Sequence, residues 1–277
     1  MSAFADLEGK VAVVTGGASG IGKGIAEALK AEGAELVIAD IEDGALQRTA
    51  KELGATGIQT DVSSAESVGA LATEVVERFG TAHVVVLNAG IGPMGRIADL
   101  TLDDWKWMVG VNLWGVIHGV HSFLPIVKGN DDGGHFVVTS SMAGLVGMPN
   151  LGSYTLTKYG VLGLTEVLAA ELAEEDSKVG ATVLCPGTIH TNIGTSSRNR
   201  PTDQQGNLND VDISQEGADV DMSGVRWMIP IEVGAIVVDA IKRGELYALT
   251  HPDWWDMVEP RFQHIASAFG QTLESHS

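Results

Sequence analysis

The stretch "SYTLTKYG" begins at Ser153 and puts Tyr154 four residues before Lys158. On a helix, positions i and i+4 stack on one face, so a phenol and an ammonium at this spacing can act as a unit. A phenol titrates near ~10, and a positive charge ~4–5 Å away at an effective dielectric of ~20 favours the phenolate by roughly 3–4 kcal/mol. That amounts to between about two and three pKa units, which brings Tyr154 toward working pH as a proton donor and acceptor. Tyr159 lacks the arrangement, because no lysine follows it by four. Spacing alone leaves two readings open: a catalytic acid with its electrostatic partner, or two residues sharing a helix face.

A second constellation lies near the start of the chain, where "VAVVTGGASGIG" runs a β-branched stretch into Gly16, Gly20 and Gly22, with Ser19 and Ile21 flanking Gly20. Glycines at a strand-to-helix turn permit the turn, let a pyrophosphate approach the backbone and let the helix pack closely, while the helix N-terminus favours negative charge. The next apolar run, "ELVIAD", ends at Asp40, about 20 residues further on, where a carboxylate can accept the ribose hydroxyls of an adenosine. Glu42 and Asp43 are also acidic, and Ser19 stands where a lysine or arginine would serve a 2′-phosphate. The pattern predicts NAD rather than NADP.

The elements that must position these groups alternate β-branched runs with amphipathic stretches. "KVAVVTGG", "ELVIAD", "TGIQTDV", "HVVVLNAG", "HFVVTSS" and "ATVLCPG" are apolar at nearly every position, as strands buried on both faces are. They predict an α/β fold, a doubly wound, Rossmann-type, mostly parallel sheet with helices on both faces, in a single domain over 1–277. Helices are predicted near 20–32, 64–79, 101–128, 153–175 and 231–243, with "ELYALT" a late strand and 253–269 a terminal helix. The polar stretch 195–224 is too long for a plain connection and predicts a substrate lid.

The composition excludes several classes. A chain of 277 residues that is 44% hydrophobic can bury a full core, and its net charge of −19 disfavours nucleic acid and anionic membranes as partners. The one cysteine, Cys185, cannot form an internal disulfide and reads as a small buried apolar residue. No basic stretch precedes an apolar run at the N-terminus, and no later segment approaches the ~20 apolar residues of a membrane span. A soluble, cytoplasmic protein is expected. His118 and His121 sit three apart on an expected helix, without a third metal ligand, and read as helix packing.

The glycine turn, "DV" at Asp61–Val62, "NAG" at Asn88–Gly90, Asn112, Ser141, Tyr154, Lys158 and "PGTIHT" at 186–191 occur in an order that resembles the single-domain short-chain dehydrogenase/reductase family. The resemblance spans roughly residues 8 to 250. It implies a catalytic set of Asn112, Ser141, Tyr154 and Lys158. Strand alternation does not decide between Ser140 and Ser141; the family's serine lies thirteen residues before the tyrosine, which selects Ser141. Gly16, Ser19, Gly20, Ile21 and Asp40 are expected to hold the cofactor, as the resemblance further implies for Asp61 and Val62 at the adenine, the Asn88–Gly90 backbone beside the cofactor, Pro186 and Gly187, and Ile189 and Thr191 at the carboxamide.

Lys158 is then expected to orient the nicotinamide ribose, and Asn112 to hold a water in a proton relay. The expected reaction is hydride exchange between NAD(H) and a secondary alcohol or ketone, with no metal. Met94, Met142 and Met148, with Val146, suggest an apolar substrate pocket, aromatic or cyclic substrates included. His190, inside "PGTIHT", is placed equally well for substrate or solvent. In the family the helices carrying 101–128 and 153–175 form subunit interfaces, so a homodimer or homotetramer is expected, and the C-terminal segment 250–277, with Trp254, Trp255, Met257 and Phe262, commonly borders the pocket. From "ELYALTHPDWW" the ending is similar to family members that oxidise lignin-derived aryl alcohols. Two other readings are an epimerase or dehydratase built on the same Tyr/Lys pair, disfavoured by the short C-terminal part, and a non-catalytic NAD-sensing protein, disfavoured by the complete catalytic set.

Overall fold

The computed structural model describes residues 4–211 and 225–272. Among these, the strands β1 (Val11–Thr15), β2 (Glu35–Asp40), β3 (Thr56–Gln59), β4 (Val84–Leu87), β5 (Gly134–Thr139), β6 (Val179–Cys185) and β7 (Tyr247–Leu249) form one parallel sheet in the order β3-β2-β1-β4-β5-β6-β7. Each strand lies near its predicted place. Side chains alternate between two apolar layers: Ala12 and Val14 of β1 join Ile38, Val86 and Leu184 on one face, whereas Val13 joins Val37, Val85 and Phe136 on the other.

The first layer is covered by α1 (Gly20–Ala31), α2 (Asp43–Leu53) and α7 (Pro230–Arg243), the second by α3 (Ala65–Phe79), α5 (Gly115–Lys128) and α6 (Gly152–Glu174). α1 and α7 cross closely: a Cβ on Gly24 would lie 2.2 Å from the Pro230 carbonyl oxygen. α3 starts where Ser64 accepts the Ser67 amide and stops at Gly80, which takes φ +82°. Helix α2 is absent from the sequence-based expectation. It buries only Leu46, Thr49 and Ala50, in an otherwise polar stretch with Gln47, Arg48, Lys51 and Glu52.

The single helix predicted over 101–128 is three pieces: α4 (Leu102–Val109), a π-helical turn (Gly110–Trp114) and α5. Its start carries a capping box between Thr101 and Asp104. Contrary to the sequence expectation, Leu102–Lys128 is long and apolar enough, with a mean hydropathy of 1.2, to cross a membrane by length and composition. In this fold its Val116, Phe123 and Val127 are buried with the second layer of the sheet. The expected terminal helix is a 3-10 turn (Pro252–Trp254) followed by α8 (Trp255–Ala268).

β5 carries a fully buried histidine, His135, whose Nε2 lies 2.8 Å from Thr182 Oγ1. The Thr182 hydroxyl donates to the Glu245 carbonyl (2.6 Å), so the His135 ring N–H donates to Thr182. Burial pushes the His135 pKa down to about 3. An unfolded histidine binds its proton near ~6.5, so between about 6.5 and 3 the unfolded chain holds a proton that the folded one lacks, and stability falls as pH drops through that window. His135→Val should flatten the pH dependence of the urea midpoint across this range. Equal slopes in both proteins would assign the acid sensitivity elsewhere.

Candidate active site

The chain leaves β1 toward β2 and β4 toward β5, in opposite directions, so a crevice opens at the carboxyl ends of β1 and β4. Thr15 Oγ1 accepts the amides of Asn88 (3.0 Å) and Ala89 (3.2 Å), and Thr139 Oγ1 donates to Asn88 Oδ1 (3.1 Å), which joins the ends of β1, β4 and β5. Gly16 follows β1 at φ +65°, and a Cβ there would sit 2.8 Å from Ala89 Cα. A Cβ on Gly22 would lie 2.1 Å from the Gly16 carbonyl oxygen. Ser19, at the N-cap of α1, directs its hydroxyl toward Asn192 Oδ1 (3.4 Å) instead of capping the helix, so it leaves first-turn amides free for an anion.

A groove runs across these strand ends, lined by Gly16, Ser19, Gly20, Ile21, Asp40, Asp61 and Val62 on one side of the switch point. On the other side stand Asn88, Gly90, Tyr154, Lys158, Pro186 and Thr191. Asp40 accepts the Ala18 and Glu42 amides, both at 3.1 Å; burial nonetheless raises its pKa against their pull. Glu42 is differently placed from its expectation. Its Oε1 accepts Arg198 Nε (3.0 Å) and Nη2 (2.8 Å) and Asn199 Nδ2 (2.9 Å), contacts that lower its pKa. Its charge is therefore matched, and the repulsion of a 2′-phosphate expected from Glu42 falls to Asp40.

At the far end, Lys158 is 3% exposed and its Nζ donates to the Thr139 carbonyl (2.9 Å), 5.4 Å from the Tyr154 ring centroid. Ser140 Oγ donates to the Lys158 carbonyl (2.7 Å) and so anchors α6. Ser141 accepts the Ala143 amide (3.1 Å) and is hydrogen-bonded to Tyr154. Geometry thus separates the two serines that strand alternation could not. Burial lowers the Lys158 pKa to about 8 and raises that of Tyr154 to about 12, with the Ser141 hydrogen bond pulling the phenol the other way. This corrects the expectation that Lys158 brings Tyr154 toward neutrality: the ammonium is turned to Thr139, and desolvation of the phenolate outweighs the Ser141 hydrogen bond.

Asn112 lies within the π-helical turn, the kind of irregularity that re-aims a side chain. Its Oδ1 accepts the Ile91 amide (2.8 Å) and its Nδ2 donates to the Ile91 carbonyl (3.0 Å), behind the groove. Several residues expected at the substrate stand outside the groove lining. Met142 is buried with its amide on Pro186, Met94 pairs by its backbone with Asn209, and Met148 is half-buried. The exposed His190 stacks on Trp227 at 5.0 Å, and Ile189 packs into the first apolar layer. Gly187 donates its amide to Thr250. His118 contacts the Val62 carbonyl through Nδ1 (3.0 Å) and packs at a tilt against Trp114 (5.5 Å), a packing role.

A model of the short chain dehydrogenase family matches residues 10–202. The chain belongs to the short-chain dehydrogenase/reductase family. It is 37% identical to a short-chain dehydrogenase/reductase from Burkholderia phymatum solved in complex with NAD, covering 98% of this chain and 99% of that one with a TM-score of 0.85. It is also 32% identical to a C alpha-dehydrogenase of Sphingobium sp., over 94% of this chain and 86% of that protein. A dehydrogenase/reductase of CLA biosynthesis from Lactiplantibacillus plantarum is 29% identical over 95% of both chains.

For this short-chain dehydrogenase, sequence reasoning did not single out Ile193, Ser196, Arg198 and Asn199, which line the groove from a 3-10 turn (Ile193–Asn199) at the start of the stretch read as a substrate lid. Residues 200–211 of the expected lid are tied down; 212–224 lie outside the described residues. The tie is Asp104, fully buried, which accepts Arg200 Nη1 (2.7 Å) and the amides of Thr101, Asn207 and Leu208. Burial works to raise its pKa, and the Asn207 amide, Arg200 and Thr101 together hold it at about 2. Arg200 also lies over Trp107 at 5.1 Å. Asp104→Ala strands a buried guanidinium and should cost about 3 kcal/mol or more in denaturant titration. Amide exchange across 205–209 should quicken with it; unchanged exchange would show that other contacts hold the segment.

Proposed function

We propose that this enzyme transfers a hydride between NAD(H) and a secondary alcohol or ketone of apolar character, aromatic or cyclic substrates included. One observation carries the reading: the half-buried Tyr154 and buried Lys158, with Ser141 on the phenol, share one groove with the glycine turn and Asp40. The NAD bound by the B. phymatum relative supports the cofactor. The cradle at Gly16 and Gly22 and the uncapped start of α1 fit a pyrophosphate, and Asp40 fits ribose hydroxyls. When bound, the cofactor supplies a ring carbon that accepts or returns hydride.

The chain's own residues would do the rest. Asp61 and Val62 would flank the adenine, while Asn88, Gly90, Pro186 and Thr191, backed by Gly187 and Ile189, would border the nicotinamide. Ser141 donates to the substrate oxygen and Tyr154 Oη exchanges the proton with it. Lys158 would orient the nicotinamide ribose, and Asn112 would hold a relay water. Met94, Met142, Met148 and His190 would contact substrate beside the 3-10 turn Ile193–Asn199, which lines the groove. The exposed Trp114 (50%) and Val167 (55%) on the outer faces of the helical layer support a homodimer or homotetramer, and the single cysteine supports a cytoplasmic enzyme.

Screening secondary alcohols and ketones of graded size with NAD(H), followed by absorbance of the reduced nicotinamide, tests the reading; no turnover with any would refute it. Tyr154→Phe keeps the ring and removes the proton, so turnover should fall by ~10²-fold or more while NAD binding survives. Burial brings the Lys158 ammonium down to about 8, while Tyr154 keeps its proton. Alcohol oxidation needs the two groups short of one proton between them. Its kcat/KM should therefore rise with pH through about 8 and ketone reduction should fall above it, and Lys158→Met should abolish the rise at 8. Replacing Asp40 by Ser and Ile41 by Arg should raise activity with NADP relative to NAD, measured side by side.

A further inference from the structure

Resting on that reading, we propose that Thr250 and His251, in the segment after β7, are positioning residues that set the backbone of 186–191 for hydride transfer from behind. The expectation for this segment is direct contact with the pocket, yet the groove lining comes from residues 16 to 199. What the segment touches is the back of the loop. The Gly187 amide donates to Thr250 Oγ1 (2.9 Å), and Thr250 Oγ1 lies 2.7 Å from His251 Nδ1. His251 Nε2 lies 2.9 Å from the Arg226 carbonyl, which also accepts the Thr188 hydroxyl (2.6 Å).

These partners fix the proton positions. A carbonyl oxygen only accepts, so Nε2 carries the ring proton and donates to Arg226; Nδ1 is then an acceptor and takes the Thr250 hydroxyl proton. That leaves the Thr250 oxygen to accept the Gly187 amide. Every donor in the chain from Gly187 through Thr250 and His251 to Arg226 has one acceptor. His251 is 1% exposed and is held further by Trp254, whose ring lies 4.6 Å away.

The chain of bonds meets a second clamp on the same loop. The Met228 amide donates to Thr188 (3.1 Å) and the His190 amide to Met228 (3.0 Å), in a parallel bridge centred on Ile189 and Met228. Gly187 is sized for the imidazole: a Cβ there would lie 2.6 Å from His251 Nδ1. The loop is thus defined at Gly187 by Thr250 and at 188–190 by 226–228, while its front, at Pro186 and Thr191, lines the groove. Reaction rates depend on such backbone placement because a misplacement of about 1 Å can cost on the order of 10²-fold.

The test compares wild type with Thr250→Val, which keeps the shape and removes the hydroxyl, and Thr250→Ser, which keeps the hydroxyl and removes the methyl. Single-turnover hydride transfer under saturating NAD should fall at least ~10-fold in Thr250→Val, with the NAD dissociation constant changed less than ~3-fold, and should be largely restored in Thr250→Ser. In the cofactor-free protein, the Gly187 amide should exchange faster in Thr250→Val and at the wild-type rate in Thr250→Ser. His251→Gln, which can still donate to Arg226, should fall between the two. A rate loss in Thr250→Ser as large as in Thr250→Val would put the effect in methyl packing, and unchanged transfer rate in Thr250→Val would overturn the proposal. If wild type itself shows no nicotinamide-linked turnover, the functional reading fails, while exchange at Gly187 still decides whether Thr250 holds the loop.

Discussion

The hydrogen bond from the Lys158 ammonium to the Thr139 carbonyl is the constraint on which the site depends. A lysine this buried must spend its charge on a partner, and the end of β5 offers one. Through it α6 is fixed in rotation, so that Tyr154, one turn earlier, faces the crevice. Ser140 secures the same turn from the other side by donating to the Lys158 carbonyl, which leaves Ser141 for the phenol. Thr139 in turn donates to Asn88, and Asn88 is held by Thr15, so the proton-handling end and the glycine turn are referred to one rigid set of strand termini.

Low polarity around that lysine has a chemical consequence opposite to the one that spacing suggests. Counting charges at helical separation assigns the ammonium to the phenol and lowers its pKa. The folded arrangement turns the ammonium to a carbonyl and desolvates both groups, so the phenol rises to about 12 as the ammonium drops to about 8. Tyr154 therefore keeps its proton, and the group that yields one first is the lysine.

What was legible in the sequence was whatever depends on local pattern. Strands buried on both faces read as continuous apolar runs, and the Gly16–Gly22 turn, Asp40 and the Tyr154–Lys158 spacing each occupy a stretch short enough to recognise. Contacts between residues far apart in sequence were not legible. Glu42 looks like free negative charge until Arg198 meets it, and Asp104 looks like an ordinary capping residue until Arg200 and the 207–208 amides converge on it. The π-helical turn at 110–114 was hidden for another reason: its composition is that of the helix on either side, and only the inward turn of Asn112 marks it. Helix α2 escaped because its three buried residues lie in an otherwise polar stretch.

These long-range contacts share a logic. The glycine turn, Asp40 and the Tyr154–Lys158 pair are all fixed by strand ends, and their geometry follows once the sheet forms. The loop 186–191 has no such support on its groove side, since a group that must face a ligand cannot also be buried against the core. Its backbone has to be defined from the rear, by elements free to specialise in that task. The strand-like stretch 226–228 and the Thr250–His251 pair occupy that rear position and lie beyond the stretch that the family model matches. Positioning is thereby separated from contact, and a segment that never touches the groove can still determine how closely its reacting groups meet.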